Sequence, residues 1–305
     1  MTATAAEKTP LALIQGEPID LRSTRVLLGW LPEQEAVRHL LGRNPAPPDD
    51  LTAIREQIAR ARASVQSRPK AAAGDPVVDE GDRSLLDQVA ARPELRASIP
   101  DAPWTIEWVD MTRVMSIQKM ITTDGLDLRV AGVKDDPMAL VELCLPAGQP
   151  VAPLGGFMDQ DGLGFTTSSL NPNLRLAGSQ VSEALVSPSP SVPPQKMQAI
   201  TFFVSLNTSY VQVARYQGRC FLRDGYHRAV GLLRAGTTRV PAVVIDAPTF
   251  QYVVPTPGLF DHEIAFSDHP PMLTDFWDDT VAVQAQQPAV RTVLRIQAQK
   301  FPVQG

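Results

Sequence analysis

Residues 211–245 read VQVARYQGRCFLRDGYHRAVGLLRAGTTRVPAVVI, and this stretch decides the fold class. Two runs rich in strand-forming residues flank Gln217-Gly218, where glycine supplies the positive φ that a tight hairpin turn needs. Residues 211–224 are therefore predicted to form an antiparallel hairpin. Pairing outward from the turn sets three pairs of residues opposite each other: Val213 and Leu222, Arg215 and Cys220, Val211 and Asp224. Since facing residues share one side of a sheet, Val213, Cys220 and Leu222 are expected on one apolar face.

The segment after the hairpin has the pattern of a short helix and then a buried strand. Ala229, Leu232 and Leu233 follow the i, i+3, i+4 spacing of a helix face, and Gly236 is a natural stop, which predicts a helix over 226–235. The continuous apolar run at 240–245 is typical of a buried strand, and we expect it in the same sheet. Strand, helix and strand form a βαβ-like unit, so the predicted fold class is α/β (α+β).

The same residues carry a resemblance to a known superfamily. The run Phe221-Leu-Arg-Asp-Gly-Tyr-His-Arg-Ala-Val, followed by Gly236 and the Val-Pro-Ala-Val-Val strand from Val240, resembles the ParB/sulfiredoxin superfamily over about residues 211–245. The resemblance implies a mixed sheet with short helices. In ParB proteins the motif contributes to a cytidine-nucleotide pocket, in sulfiredoxin it holds ATP phosphates and the catalytic cysteine, and related serine kinases bind adenine nucleotide there.

Three departures limit what the resemblance implies. Tyr226 occupies the place where sulfiredoxin has its cysteine, so that chemistry is excluded. The acidic-arginine-arginine version of the motif that is usual in ParB proteins is missing, and so is a helix-turn-helix pattern behind it. Neither the CTP clamp nor centromere binding is therefore implied for this chain.

The physical chemistry of residues 224–228 independently favours an anion site. A strand that leads straight into a helix brings free backbone N–H groups and the positive end of the helix dipole to one point. Gly225 allows the backbone to approach a ligand closely, Arg228 offers a forked donor for phosphate oxygens, and His227 offers a donor that titrates near neutral pH. Asp224 is interpreted as a helix cap, a catalytic base or a metal ligand. The predicted ligand-binding residues are listed in chain order: Asp224, Gly225, Tyr226, His227 and Arg228.

Three functions remain open at this stage. The first is a nucleotide- or phosphate-binding regulatory module, whose partners would be a nucleotide or other anionic small molecule and a further protein. The second is a phosphotransferase or nucleotide hydrolase that uses the same pocket, with a nucleoside triphosphate and Mg²⁺ as implied cofactors and Asp224 as the catalytic residue. The third is a scaffold whose pocket has degenerated.

The rest of the chain is predicted to form a helical N-terminal region, residues 1–98, and a ParB/sulfiredoxin-like domain with a C-terminal strand extension, residues 99–305. Helices are expected from Pro32 to Gly42, over 51–66 with Asp49 or Asp50 as cap, and over 84–91, with a linker at 67–82. Strands are expected over 104–111, 126–133, 139–145, 200–206, 280–285 and 291–301. A short helix is predicted over 112–121, and residues 146–196 are expected to be dominated by loops.

Composition narrows the functional classes further. The formal net charge of −5 makes DNA improbable as a broad nonspecific ligand, and the basic residues Arg55, Arg60, Arg62, Arg68 and Lys70 are interpreted as a solvated helix face. The two cysteines, Cys144 and Cys220, lie in no redox motif and are expected to be reduced and not catalytic. No signal peptide or membrane span is evident, so a bacterial-type cytoplasmic protein is predicted. The cluster Asp261-His-Glu263 with Asp268-His269 matches no standard metal spacing, and no metal site is predicted.

Overall fold

The structure, a computed structural model, shows a mixture of helices and multi-stranded sheets, the α+β class predicted from the sequence. It describes residues 21–41, 48–71, 74–78, 82–99, 102–133, 136–148, 155–158, 164–169, 174–187, 193–206, 208–289 and 292–297. The chain divides into two compact units. The larger unit consists of Asp20–Gly148 and Ser209–Ala289, and the smaller unit of Met1–Ile19, Gln149–Thr208 and Val290–Gly305. The domain boundary predicted between residues 98 and 99 stays a prediction.

The described helices all belong to the larger unit. In chain order they are α1 Glu33–Leu41, α2 Pro48–Gln66, α3 Arg83–Ala90, α4 Pro93–Ser98, α5 Leu126–Val130, α6 Pro137–Cys144, α7 Tyr226–Arg234, α8 Phe250–Val253 and α9 His262–Ala265. Three short 3₁₀ helices are also described, at Leu28–Trp30, Met111–Arg113 and Leu273–Trp277.

The described strands occur in both units. Those up to residue 148 are β1 Leu21–Val26, β2 Val77–Val78, β3 Trp104–Asp110, β4 Met115–Ser116 and β5 Met120–Thr122. The later ones are β6 Gly155–Met158, β7 Gly164–Ser169, β8 Leu174–Val186, β9 Gln195–Leu206, β10 Gln212–Tyr216, β11 Arg219–Asp224, β12 Arg239–Asp246, β13 Val283–Pro288 and β14 Thr292–Gln297.

A six-stranded sheet with the order β2-β3-β12-β10-β11-β4 forms the centre of the larger unit. Strand β12 lies in its interior and is buried at every position from 240 to 245, as its uninterrupted apolar sequence predicts. The predicted hairpin is confirmed as β10 and β11, with Val213 opposite Leu222 and Arg215 opposite Cys220. The third predicted pair is wrong, because an irregularity after Gln212 shifts the register and sets Gln212, not Val211, opposite Asp224.

The predicted helix after the hairpin is confirmed as α7, but the βαβ-like description needs a correction. Strand β12 runs parallel to β10 and not to β11, the strand that leads into α7. The hairpin strand β11 and the helix together therefore form the connection between the two parallel strands. This arrangement leaves β11 near the sheet edge and brings the start of α7 beside the chain that enters β10.

Three predictions from local sequence between residues 112 and 145 are wrong. The predicted helix over 112–121 is wrong, because backbone groups there pair with distant segments: Ser116 N donates to Pro271 O at 2.8 Å, and Leu27 N donates to Lys119 O at 2.9 Å. The strands predicted over 126–133 and 139–145 are also wrong, since these residues form α5 and α6. Asp136 caps α6 by accepting from the amides of Met138 and Ala139, and short apolar runs do not distinguish a strand from a buried helix.

The N-terminal helices follow the sequence patterns closely. Helices α1, α2 and α3 match the predicted segments within a few residues, although α2 begins at Pro48, so Asp49 and Asp50 lie inside its first turn. The side chain of Asp82 caps α3 by accepting from Ser84 N. Strand β1 pairs with β13 and β5 in a three-stranded sheet, and the apolar residues of this region join the same core as the central sheet.

The smaller unit is built from strands within its described residues. Strands β14, β7 and β6 form one antiparallel sheet, and β8 and β9 form a long hairpin. The prediction that 146–196 is loop-dominated is therefore wrong for its described part, whereas residues 188–192 of its proline-rich run lie outside the described residues. The strands predicted near 280–285 and 291–301 are confirmed as β13 and β14 with shifted bounds.

Candidate functional site

The candidate site lies where β11 delivers the chain into α7. Gly225 is the N-cap residue and has a φ of 87°, in the left-handed region that favours glycine. A Cβ atom at this position would lie 2.8 Å from Val211 Cα and 2.9 Å from Val211 Cγ2. The turn thus requires glycine both for its backbone conformation and for the close approach of Val211, just before β10.

Asp224 does not cap α7, contrary to one interpretation of the sequence. Its Oδ1 atom accepts from the Gly225 amide at 2.6 Å, and Ser209 Oγ lies 3.0 Å from each carboxylate oxygen. Ser209 is a member of the site that sequence reasoning missed. It lies well before the motif in the sequence, and only the folded chain brings its hydroxyl between Asp224 and Arg228.

Arg228 is held by protein carbonyl groups. Its Nη1 atom lies 2.7 Å from Ser209 O and 3.1 Å from Leu143 O, and its Nη2 atom donates to Ser209 Oγ at 2.7 Å. Leu143 lies in the last turn of α6, where exposed carbonyls and the negative end of the helix dipole favour a cation. Burial lowers the pKa of Arg228 below its usual value, with the charge of Asp224 acting in the opposite direction. The guanidinium of Arg228 therefore holds Ser209 and the end of α6 in place. Its N–H groups are largely used by these bonds and are not free to bind a phosphate.

The side chain of Tyr226 is part of the core. Its hydroxyl donates to Leu222 O at 2.7 Å and accepts from the amides of Ile117 at 2.8 Å and Gln118 at 3.2 Å. Burial raises the pKa of Tyr226 to about 12. Tyr226 was predicted to bind a ligand, but its side chain is engaged in the core. Only its backbone amide, at the start of α7, is available to a ligand.

His227 is the second residue of α7 and is largely buried. Burial, together with the smaller effects of the charges of Arg129 and Arg228, lowers its pKa to about 4. The expectation that His227 titrates near neutral pH is therefore wrong, and the ring is a neutral imidazole at pH 7. Gly231 allows α5 to pack closely against α7, because a Cβ at position 231 would lie only 3.2 Å from Val130 Cγ1 on α5. This close packing brings Arg129 of α5 near His227.

The lowered pKa of His227 predicts an acid-sensitive stability. The unfolded chain binds a proton at its ordinary pKa of 6.5, and the folded protein binds it only near pH 4. The stability is thus fully present above about pH 6.5 and is lost as the pH falls towards 4, by about 2 kcal/mol once the partial exposure of the ring is allowed for. Urea unfolding at pH 7.5 and pH 4.5 is expected to show a smaller loss in His227→Gln than in the wild type. Equal losses in the two proteins would contradict the buried, neutral state of the ring.

Two backbone donors complete the site. Among the described residues, no acceptor is found for the amides of Tyr226 and His227, as is usual for the first turn of a helix, whereas Arg228 N already donates to Gly225 O at 3.0 Å. The neutral ring of His227 carries one further N–H, and no described residue accepts from it. The site therefore presents hydrogen-bond donors in a region where two arginines outweigh one carboxylate that is already hydrogen-bonded.

The other groups singled out in the sequence have structural roles. Cys144 and Cys220 are free thiols, and burial raises their pKa to about 12 and about 11, which makes them poor nucleophiles. Asp261 caps α9 by accepting from Ile264 N, and the ring of His262 stacks on Phe266 with centroids 4.4 Å apart. The basic residues of the stretch 55–70 are engaged individually: Arg55 with Glu33, Arg60 with Glu56, Arg62 with Leu31 O, Arg68 with Asp275 and Asp278, and Lys70 with Asp268.

Comparisons with family models, curated proteins and solved structures give no match to this chain. The resemblance to the ParB/sulfiredoxin superfamily therefore depends on the motif and on the local geometry. No helix among the described residues has the length and apolar character needed to cross a membrane.

Proposed function

We propose that the larger unit is a ParB/sulfiredoxin-like binding module that holds the phosphate group of a nucleotide, or a similar small anion, at the N-terminus of α7. The observation that carries the proposal is the set of donors there, the amides of Tyr226 and His227 beside a neutral imidazole, for which no described residue is an acceptor. Backbone amides at a helix N-terminus bind phosphate through hydrogen bonds and through the helix dipole.

The charges around the site support an anion rather than a cation. Arg129 and Arg228 both lower the pKa of His227, so the potential at the ring is positive. Arg129 is exposed on α5 and lies near enough to His227 for its charge to lower the pKa of that ring. In this proposal Arg129 contacts the ligand, whereas Arg228 positions the site through its hydrogen bonds to Leu143 and Ser209.

We propose binding rather than turnover. A phosphotransferase or hydrolase that uses this pocket would need Asp224 as a base, but its carboxylate already accepts hydrogen bonds from Ser209 and Gly225. The alternative, an enzyme, would be favoured if the wild type released inorganic phosphate from ATP in the presence of Mg²⁺ and Asp224→Asn did not. In the binding module, Asp224→Asn is expected to show no such difference.

Titration with pyrophosphate tests the proposal. Binding is expected to be detected by calorimetry, and to raise the pKa of His227 above 4 in ring NMR spectra, because a nearby anion stabilises the imidazolium. Arg129→Gln is expected to weaken binding about tenfold, the effect of losing one charge-assisted hydrogen bond.

Arg234→Gln is the matched control for Arg129→Gln, because Arg234 is a partly exposed arginine in the last turn of α7, at the end opposite the site. This variant loses the same charge and is expected to bind pyrophosphate nearly as the wild type does. The proposal fails if pyrophosphate does not bind, or if it binds without changing the titration of His227. In either case the motif serves only the architecture of the unit.

A further inference from the structure

Two cavities of the larger unit meet at His269, away from the residues of the candidate site. The larger cavity has a volume of about 650 Å³ and lies between the 3₁₀ turn Leu28–Trp30, helix α2 and the segment 264–269. The smaller cavity has a volume of about 290 Å³ and is lined by residues 68–71, 74, 112–113, 269–270 and 272. Cavities of about 300–1,000 Å³ are the usual size for small-molecule sites.

The wall of the larger cavity is mainly apolar, with Arg62, Gln66 and Asp268 among its polar members. Trp30, Leu31, Val65 and Ile264 contribute to it. The indole Nε1 of Trp30 donates to His269 O at 2.6 Å, which fixes the orientation of the ring. Flat apolar ligands suit such a wall, because burying them removes apolar surface from water without ordering new side chains.

The smaller cavity is cationic. Its described lining includes Arg68, Lys70 and Arg113 and contains no carboxylate. Arg68 is engaged by Asp275 and Asp278, and Lys70 shares an exposed ion pair with Asp268. Arg113 forms no ion pair with a described residue, and its Nη2 atom lies so close to the backbone of Gly74 that a Cβ there would be 2.6 Å away. This arginine is therefore a positive charge that an anion entering the cavity would meet.

His269 supplies a further polar group between the cavities. It lines both of them, and its Nδ1 atom is buried without a hydrogen-bond partner among the described residues. A buried ring nitrogen without a hydrogen-bond partner destabilises the folded protein. It therefore identifies a point where a bound molecule gains a hydrogen bond.

We infer that these cavities form a second ligand site, for a small molecule with a flat apolar body and one anionic group such as a carboxylate. The apolar body lies against Trp30 and Ile264 in the larger cavity, and the anionic group meets Arg113 and Lys70 in the smaller one. The site is independent of the phosphate site proposed at α7, since none of its lining residues belongs to that site.

Calorimetry with 2-naphthoate and with the uncharged 2-naphthamide tests the inference. The naphthoate is expected to bind at least tenfold more tightly, because only its carboxylate pairs with Arg113. Arg113→Gln is expected to remove this preference, and Ile264→Ala is expected to weaken both ligands about equally.

Two control variants localise the binding. Arg60→Gln removes an exposed arginine of α2 that lines neither cavity, and naphthoate binding is expected to be unchanged in it. Arg129→Gln, which weakens pyrophosphate binding at α7, is likewise expected to leave naphthoate binding unchanged. The inference is overturned if naphthoate binds no better than naphthamide, if Arg113→Gln retains the preference, or if Arg129→Gln abolishes it.

Discussion

Replacement of Gly225 by alanine is expected to lower the free energy of unfolding of the larger unit by about 3 kcal/mol or more. Two costs add at this position. The φ of 87° is unfavourable for a residue with a Cβ, by about 1–2 kcal/mol. The new Cβ also meets Val211 Cα at 2.8 Å, and such overpacking costs about 1–3 kcal/mol. Urea unfolding followed by circular dichroism measures the change as a lower midpoint with an unchanged slope.

Gly218→Ala separates the two costs. Gly218, at the turn of the β10–β11 hairpin, has a φ of 74°, and no other atom lies within 4 Å of a Cβ built there. Its replacement therefore adds only the conformational cost, about 1–2 kcal/mol. Equal losses of stability in the two variants would show that the close approach of Val211 to Gly225 contributes nothing, which would contradict the tight turn before α7.

Tyr226→Phe is expected to destabilise the larger unit by about 3 kcal/mol, although it removes a single oxygen atom. The hydroxyl satisfies Leu222 O and the amides of Ile117 and Gln118, and all three lose a partner in the variant. An unsatisfied buried polar group costs about 1–3 kcal/mol, and solvent relieves part of the cost at the half-buried Gln118. The same unfolding measurement quantifies the loss.

Tyr216→Phe provides the comparison for this variant. Among the described residues, the hydroxyl of Tyr216 hydrogen-bonds only to the exposed side chain of Gln217, whose Nε2 donates to it at 3.2 Å. Its removal is expected to change the stability by no more than about 0.5 kcal/mol. If Tyr226→Phe loses as little stability as Tyr216→Phe, the hydrogen bonds of the Tyr226 hydroxyl do not stabilise the packing of α7 against the segment after β4.

The residues of the candidate site illustrate how far a motif can be interpreted from sequence. The motif correctly predicted a strand, a glycine turn and a helix start, because each signal lies within a few residues of the structure it specifies. It did not reveal the role of each side chain. Tyr226 points into the core, and Arg228 is bound to carbonyls of residues 143, 144 and 209. Burial lowers the pKa of His227 and keeps its ring neutral, and the charge of Arg129, nearly a hundred residues earlier, acts in the same direction.

The sequence by itself determined the hairpin, the helix and the buried strand of residues 211–245. Turn glycines, helical spacing and an uninterrupted apolar run act over short distances, so the fold has little freedom to override them. Only the tertiary structure decided the form of residues 112–145 and the identity of Ser209 as a site residue. Short apolar segments have similar energies as helix or strand, and long polar side chains bond to whichever groups the fold brings near. In both cases the outcome depends on partners that are distant along the chain, and local sequence does not specify them.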